Sequence, residues 1–187
     1  MSAPSNVLIV DDEPELAELY ASWLADEYAV KTAQNGDTAL EQFEQSIDVV
    51  LLDRRMPGVS GDEVLERIRE RNAECGVAMV TAVDPDFDIL ELGFDAYLTK
   101  PVNETELKDV IERLLRRSDY TDTLRAFFAK LSKREALMAK KPQFELEADE
   151  RYQRLESEIE DLKRQSETQL SELDGADFEA LFYRLDA

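Results

Sequence analysis

The sequence predicts a doubly wound α/β domain built on a five-stranded parallel sheet, followed by an all-helical C-terminal arm. Three observations predict it: five short apolar runs alternate with amphipathic stretches up to about residue 118, strand-like runs cease after that point, and glycine is absent from 94 to 174. Continuous apolar runs, unlike alternating ones, mark strands buried on both faces, as in a parallel sheet covered by helices. A (β/α)₈ barrel needs eight such units and more than 187 residues.

The runs are "VLIV" (7–10), "YAV" (28–30), "IDVVLL" (47–52), "VAMV" (77–80) and "AYL" (96–98). Between them, 14–26 places Leu16, Leu19, Tyr20 and Trp23 on one helical face, and 37–45 is a second helix. A third, 61–72, carries Val64, Leu65 and Ile68; a short one lies near 86–92, and 104–117 is the fifth. In the arm, a helix over 119–140 carries Leu124, Phe127, Phe128, Leu131, Leu137 and Met138. Pro142 ends it, because the residue before proline resists the α conformation. A second arm helix, 143–173, sets Tyr152, Leu155, Ile159, Leu162, Ser166, Gln169 and Leu173 at alternating 3- and 4-residue steps, a heptad seam weakened by its polar positions. Gly175 closes it, and "DFEALFYRL" (177–185) is a last short apolar helix. The expected domains are 1–118 and 119–187.

Acidic residues outnumber basic ones 43 to 22, for a net charge of −21. Such a surface lacks the positive footprint that phosphate backbones require, and it suits a salt-rich cytoplasm where self-repulsion is screened. The excess is uneven: net −15 over 1–103, +3 over 104–141 and −9 over 142–187. A basic helix followed across a proline by an acidic one is either an antiparallel hairpin held partly by charge or two solvated faces of a longer coiled coil. Cys75 is the only cysteine and histidine is absent, which excludes an intrachain disulfide, a zinc finger and Ser-His or Cys-His catalysis. The N-terminus reads neither as a signal peptide nor as a membrane span, so a cytoplasmic location without membrane contact is expected.

The chemistry lies just past the end of each strand. Asp11 and Asp12 follow "VLIV", Asp53 follows "VVLL", Thr81 follows "VAMV", and Thr99, Lys100 and Pro101 follow "AYL". An open parallel sheet gathers the carboxyl ends of its strands on one edge, where ligands bind. Singly, each aspartate could be a helix cap, and Thr81 or the Lys-Pro pair says little. Together they make a site. Three carboxylates crowded together need a cation, and an all-oxygen set without His or Cys suits Mg²⁺. A carboxylate flanked by a metal, an ammonium and a hydroxyl is equipped to attack phosphorus and hold an acyl phosphate, and Asp53, on a strand of its own, is the best-placed nucleophile. An aspartyl-phosphate phosphatase would carry an acid two residues past the nucleophile, where Arg55 stands.

On the motifs "VLIVDDEP", "VVLLDRRMPGVSGDE", "VTA" and "GFDAYLTKP", residues 6 to about 117 resemble the receiver domain of two-component response regulators, a flavodoxin-like fold. The resemblance implies that Asp53 accepts a phosphoryl group from a phosphohistidine of a sensor histidine kinase. It implies Mg²⁺ held by Asp12, Asp53 and the backbone carbonyl of Arg55, with Asp11 assisting through water. It further implies Lys100 paired with phosphoryl oxygens, Thr81 and Tyr97 as switch residues, and a cis Lys100–Pro101 bond. Such a protein is a phosphoacceptor with possible self-dephosphorylation, not an enzyme in the ordinary sense. The interval from Thr81 to Lys100, within "DPDFDILELGF", is about one helical turn shorter than in similar receivers. Residues 119–187, through "YTDTLRAFFAKLSKREAL", are similar to the HalX region that follows receivers in haloarchaeal regulators. The expected output is a protein interaction, either a homodimer or a partner helix engaged through 119–173. The alternative is DNA binding by the basic helix near 113–134, through Arg113, Arg116, Arg117, Arg125, Lys130, Lys133 and Arg134.

Overall fold

Apolar runs without alternation become the middle of the sheet. In the computed structural model, which describes residues 4–71, 74–116 and 122–170, β1 (Asn6–Val10), β3 (Val49–Leu52) and β4 (Gly76–Thr81) are buried along nearly their whole length. β2 (Ala29–Ala33) and β5 (Ala96–Thr99) are the more exposed edges. All neighbours are parallel, in the order β2-β1-β3-β4-β5. β2 runs three residues beyond the expected "YAV", because pairing with β1 carries the ladder through Lys31 and Thr32 to Ala33.

Helices α1 (Pro14–Leu24), α2 (Gly36–Gln42), α3 (Gly61–Arg71) and α4 (Glu104–Arg116) cover the sheet. Their starts are written locally. Asn35 accepts from the Thr38 N–H to cap α2, and reciprocal Ser60–Glu63 and Asn103–Glu106 bonds form capping boxes before α3 and α4. One face of the sheet packs Val7, Ile9, Val49, Leu51 and Val80 against α1 and α4; the other packs Leu8, Val50, Leu52 and Met79 against α2 and α3. Within α1 the buried stripe is Ala17, Tyr20 and Leu24, flanked by Leu16 and Trp23. Leu19, expected on that face, is 43% exposed, since it falls outside the i, i+3, i+7 stripe.

Two helical expectations are corrected. The short stretch near 86–92 is a 3₁₀ turn, Phe87–Glu91, begun by Asp86 capping the Phe87 N–H. The segment forms one tight turn there and no α-helix. The long second arm helix is two: α6 (Gln143–Ala148) and α7 (Glu150–Leu170). Asp149 breaks them apart, its backbone extended and its carboxylate accepting from the Arg151 N–H at 2.8 Å, a local bond that competes with helix continuation.

The arm is a hairpin. α5 (Asp122–Met138) runs antiparallel to α7, with Lys130 bound to Glu158 at 2.6 Å and Arg134 3.9 Å from Glu156. It lies on the sheet half of the chain: α5 packs on β5 and the 3₁₀ turn, and α7 on the same turn. Leu124, Phe127, Leu131, Leu137, Leu146, Tyr152, Leu155 and Ile159 join one continuous core with Phe87, Ile89 and Phe94. The first half of the heptad seam is thus already buried within the chain. The side chains of Ser166 and Gln169, together with Leu173, Gly175, 177–185, Arg117 and the expected boundary at 118/119, lie outside the described residues.

Candidate functional site

Backbone pairing delivers the site residues. The ladder continues one step past each strand: Asp11 N–H donates to Ala33, Asp53 N–H to Val10 at 2.8 Å, and Lys100 N–H to Thr81 at 2.8 Å. Gly61 then starts α3 hard against this edge, its N–H donating to Arg54. A Cβ at 61 would overlap the Asp53 carbonyl oxygen, so only glycine fits. Gly58, at φ +81°, makes the preceding turn.

Lys100 is the hub. Its ammonium lies 2.7 Å from Asp53 Oδ2, 2.8 Å from Asp11 Oδ2 and 3.6 Å from Glu13 Oε1. The side chains of Lys100, Asp11 and Asp53 are 9%, 3% and 8% exposed, so water screens these charges poorly. Burial opposes the charge on Lys100, but the hydrogen bonds it donates to Asp11 and Asp53 outweigh it and hold its pKa above the usual lysine value. Burial raises the Asp11 carboxyl despite the same bond, because Asp11 is the deeper partner and also faces Asp53. One ammonium does not neutralise this cluster.

Asp53 Oδ1 accepts from the Arg55 N–H at 3.1 Å, and Asp11 Oδ1 from the Glu13 N–H. Asp12 has no ion-pair or hydrogen-bond partner among the described residues and faces a cleft of about 570 Å³. Asp12, Glu13, Asp53, Arg55, Thr81, Ala82, Val83 and Asp84 line it. Carboxylate oxygens of Asp11, Asp12 and Asp53 lie within 4.8 Å of one another. An all-oxygen triad with surplus negative charge and one unpaired member fits a hard divalent cation such as Mg²⁺. Thr81 is fully buried, its hydroxyl accepting from the Val83 N–H at 3.3 Å. Tyr97 is half-buried, donates to the Val83 carbonyl at 2.7 Å and packs on Phe94. The Lys100–Pro101 bond is cis.

Asp11, Asp12, Asp53, Arg55, Thr81 and Lys100 come together at this edge, with Tyr97 one layer behind. Three others were missed. Glu13 extends the "DDE" run and could have been suspected. Asp84 enters only through the fold. Arg54, half-buried next to Asp53 in sequence, grips Asp62 of α3 at 3.0 Å and also binds Asp88 of the 3₁₀ turn. No sequence signal joins residues 34 apart.

A doubly wound sheet whose carboxyl edge carries an acidic triad, a buried lysine and a hydroxyl defines a receiver-type α/β signalling domain. The chain belongs to the response regulator receiver domain family, whose family model matches residues 7–112, and the HalX domain matches 116–182. The chain is 47% identical over 167 residues to a Haloferax volcanii protein named as a candidate transcriptional regulator, a match covering 89% of this chain and 28% of that one. It is 42% identical over 123 residues to the Sensory transduction protein RegX3 of Mycolicibacterium smegmatis, covering 63% of this chain and 54% of that one. The response regulator TrrA of Thermotoga maritima, solved with Mg²⁺ and a beryllofluoride, superposes with a TM-score of 0.54 at 37% identity, covering 59% of this chain and 99% of that one. The chain therefore spans between a quarter and about half of these curated relatives' length. Among the described residues no helix is long and apolar enough to cross a membrane.

Proposed function

We propose that this chain is a phosphorylation-controlled switch in which Asp53 accepts a phosphoryl group from a phosphohistidine of a sensor histidine kinase. The observation that carries the reading is the convergence on one cleft of Asp53, its lysine partner, a buried threonine and an acidic pair from another strand. An Asp53 carboxylate oxygen attacks phosphorus, the P–N bond breaks, and the imidazole leaves with its electron pair and is protonated by solvent. Lys100 fixes the attacking carboxylate and offers its charge to the transferred oxygens. Thr81 exchanges its bond from Val83 for one to the phosphoryl group, and Tyr97 follows through the same loop. Asp12, Asp53 and the Arg55 carbonyl would hold Mg²⁺, with Asp11 acting through water; the ion, when bound, supplies charge neutralisation at the phosphoryl oxygens. The chain acts as a phosphoacceptor that returns its phosphoryl group to water, without a separate substrate.

We take residues 1–118 as the receiver and 119–187 as the output unit, acting through protein contacts in the cytoplasm. The cations of α5 support this over DNA binding: Lys130 is bound to Glu158, Arg125 to Asp122 and Glu74, and Lys133 to backbone carbonyls. A basic helix spent on internal partners offers phosphates little. Incubation with acetyl phosphate and Mg²⁺ followed by intact mass tests the phosphoacceptor. The wild-type chain gains one phosphoryl mass and Asp53→Asn gains none; a phosphorylated Asp53→Asn overturns the assignment.

A further inference from the structure

The loop from Ala82 to Asp86 has two neighbours. On one side it borders the cleft, through Asp84, and is bonded to both Thr81 and Tyr97 through Val83. On the other side it is held by the turn between α5 and α6. Lys140 lies 2.8 Å from Asp84, and Lys141 lies 3.0 Å from Asp86. The next residue, Phe87, is buried with the Lys141 ammonium 4.8 Å and the Arg151 guanidinium 5.1 Å from its ring centre. At the far end of the 3₁₀ turn, Lys133 donates to the carbonyls of Leu90 and Leu92 at 3.1 and 2.5 Å. From 84 to 92 the chain beside the site is thus gripped repeatedly by cations of the arm.

We propose that Lys140 and Lys141 are positioning residues of the Asp53 site: by pairing with Asp84 and Asp86 they set the charge and conformation of the loop that borders the cleft, and so couple phosphorylation to docking of the hairpin. The proposal rests on the reading of Asp53 as phosphoacceptor. The charge argument is direct. The cleft already holds the carboxylates of Asp12, Glu13 and Asp53, the incoming donor is an anion, and Lys140 offsets Asp84 at the rim. The conformational argument follows the hydrogen bonds. Thr81 must release the Val83 N–H to reach a phosphoryl oxygen, and the segment that then shifts is tied to the arm one and three residues later. Both pairs are partly exposed, so they bias the loop without locking it. Coupling of this kind is reciprocal, so a docked hairpin that favours the loaded site is itself held tighter once Asp53 is loaded.

The test uses the full chain with acetyl phosphate and Mg²⁺. Phosphorylation rate is followed by intact mass across donor concentration, and hydrogen exchange is followed over 122–165. Lys140→Gln with Lys141→Gln lowers the rate at subsaturating donor about five-fold, because two loop carboxylates lose their counter-charge. Lys140→Arg with Lys141→Arg restores it, which a loss of packing would not allow. Phosphorylation of the wild type slows exchange in α5 and α7 about five-fold, and the glutamine variant exchanges faster from the start. A glutamine variant with wild-type rate and exchange overturns the proposal, as does failure of the arginine variant to rescue. A wild-type chain that never gains the phosphoryl mass overturns the underlying reading instead, and is seen without any variant.

Discussion

Asp12→Asn should stabilise the protein in the absence of metal and abolish its response to Mg²⁺. Asp12 has no partner among the described residues, while its carboxylate stands within 4.8 Å of oxygens of Asp11 and Asp53. At that separation two like charges repel by about 1 kcal/mol in the dielectric of water and about 3.5 kcal/mol at an effective dielectric near 20. Asp12 is half-buried and faces the open cleft, and Lys100 offsets part of the field, so a net relief of about 1–2 kcal/mol is expected. For a chain of this length that is a rise in Tm of roughly 2–8 °C. Saturating ion works the other way: at about 100 times its Kd it stabilises the wild type by about 2.7 kcal/mol. The two melting curves should therefore cross, with the variant higher in EDTA and the wild type level or higher in Mg²⁺. Thermal unfolding at constant ionic strength measures both. A variant that melts lower without metal, or that keeps the full Mg²⁺ shift, would refute the placing of the ion on this triad.

Gly61→Ala should cost at least about 1–3 kcal/mol and impair phosphorylation together, since the new methyl group overlaps the Asp53 carbonyl; urea unfolding and intact mass on one preparation check this. Phe127→Ala, at a fully buried position joining arm to receiver, should cost about 3–5 kcal/mol and leave the hairpin open to limited proteolysis before the receiver. Cys75 is buried, and burial pushes its thiol up to about 12, so maleimide labelling at pH 8 should be blocked in the native chain and complete in denaturant. Burial pushes Lys133 down to about 8. The unfolded chain, titrating near 10.4, then binds more protons between those values, and stability from this group rises with pH across that window. Denaturant midpoints at pH 7.5 and 9.5 should show a rise in the wild type that Lys133→Met reduces.

Most residues of the site, and the strands that carry them, were legible in the chain, because Asp11, Asp53 and Thr81 directly follow apolar runs and Asp12 and Lys100 come one residue later. A parallel sheet turns that local rule into a shared edge: the last ladder bond of one strand is made by the reactive residue itself, as in Asp53 to Val10 and Lys100 to Thr81. The five-stranded architecture was legible for the same reason, since burial on both faces leaves an unbroken apolar signature. Periodicity misplaced Leu19 and merged α6 with α7, because a stripe is decided by what it faces and a break by one aspartate bonding its own neighbourhood.

What the sequence determined by itself is the chemistry: which carboxylates, lysine and hydroxyl meet, and that an aspartate without its cation is costly to keep there. Only the tertiary structure decided where the arm goes. Its seam of Tyr152, Leu155 and Ile159 could have met a second copy, but Phe87, Ile89 and Phe94 offer an apolar face on the chain itself, and burying them against the chain's own hairpin needs no association. That choice set Lys140 and Lys141 beside Asp84 and Asp86, contacts across more than fifty residues that no local pattern encodes.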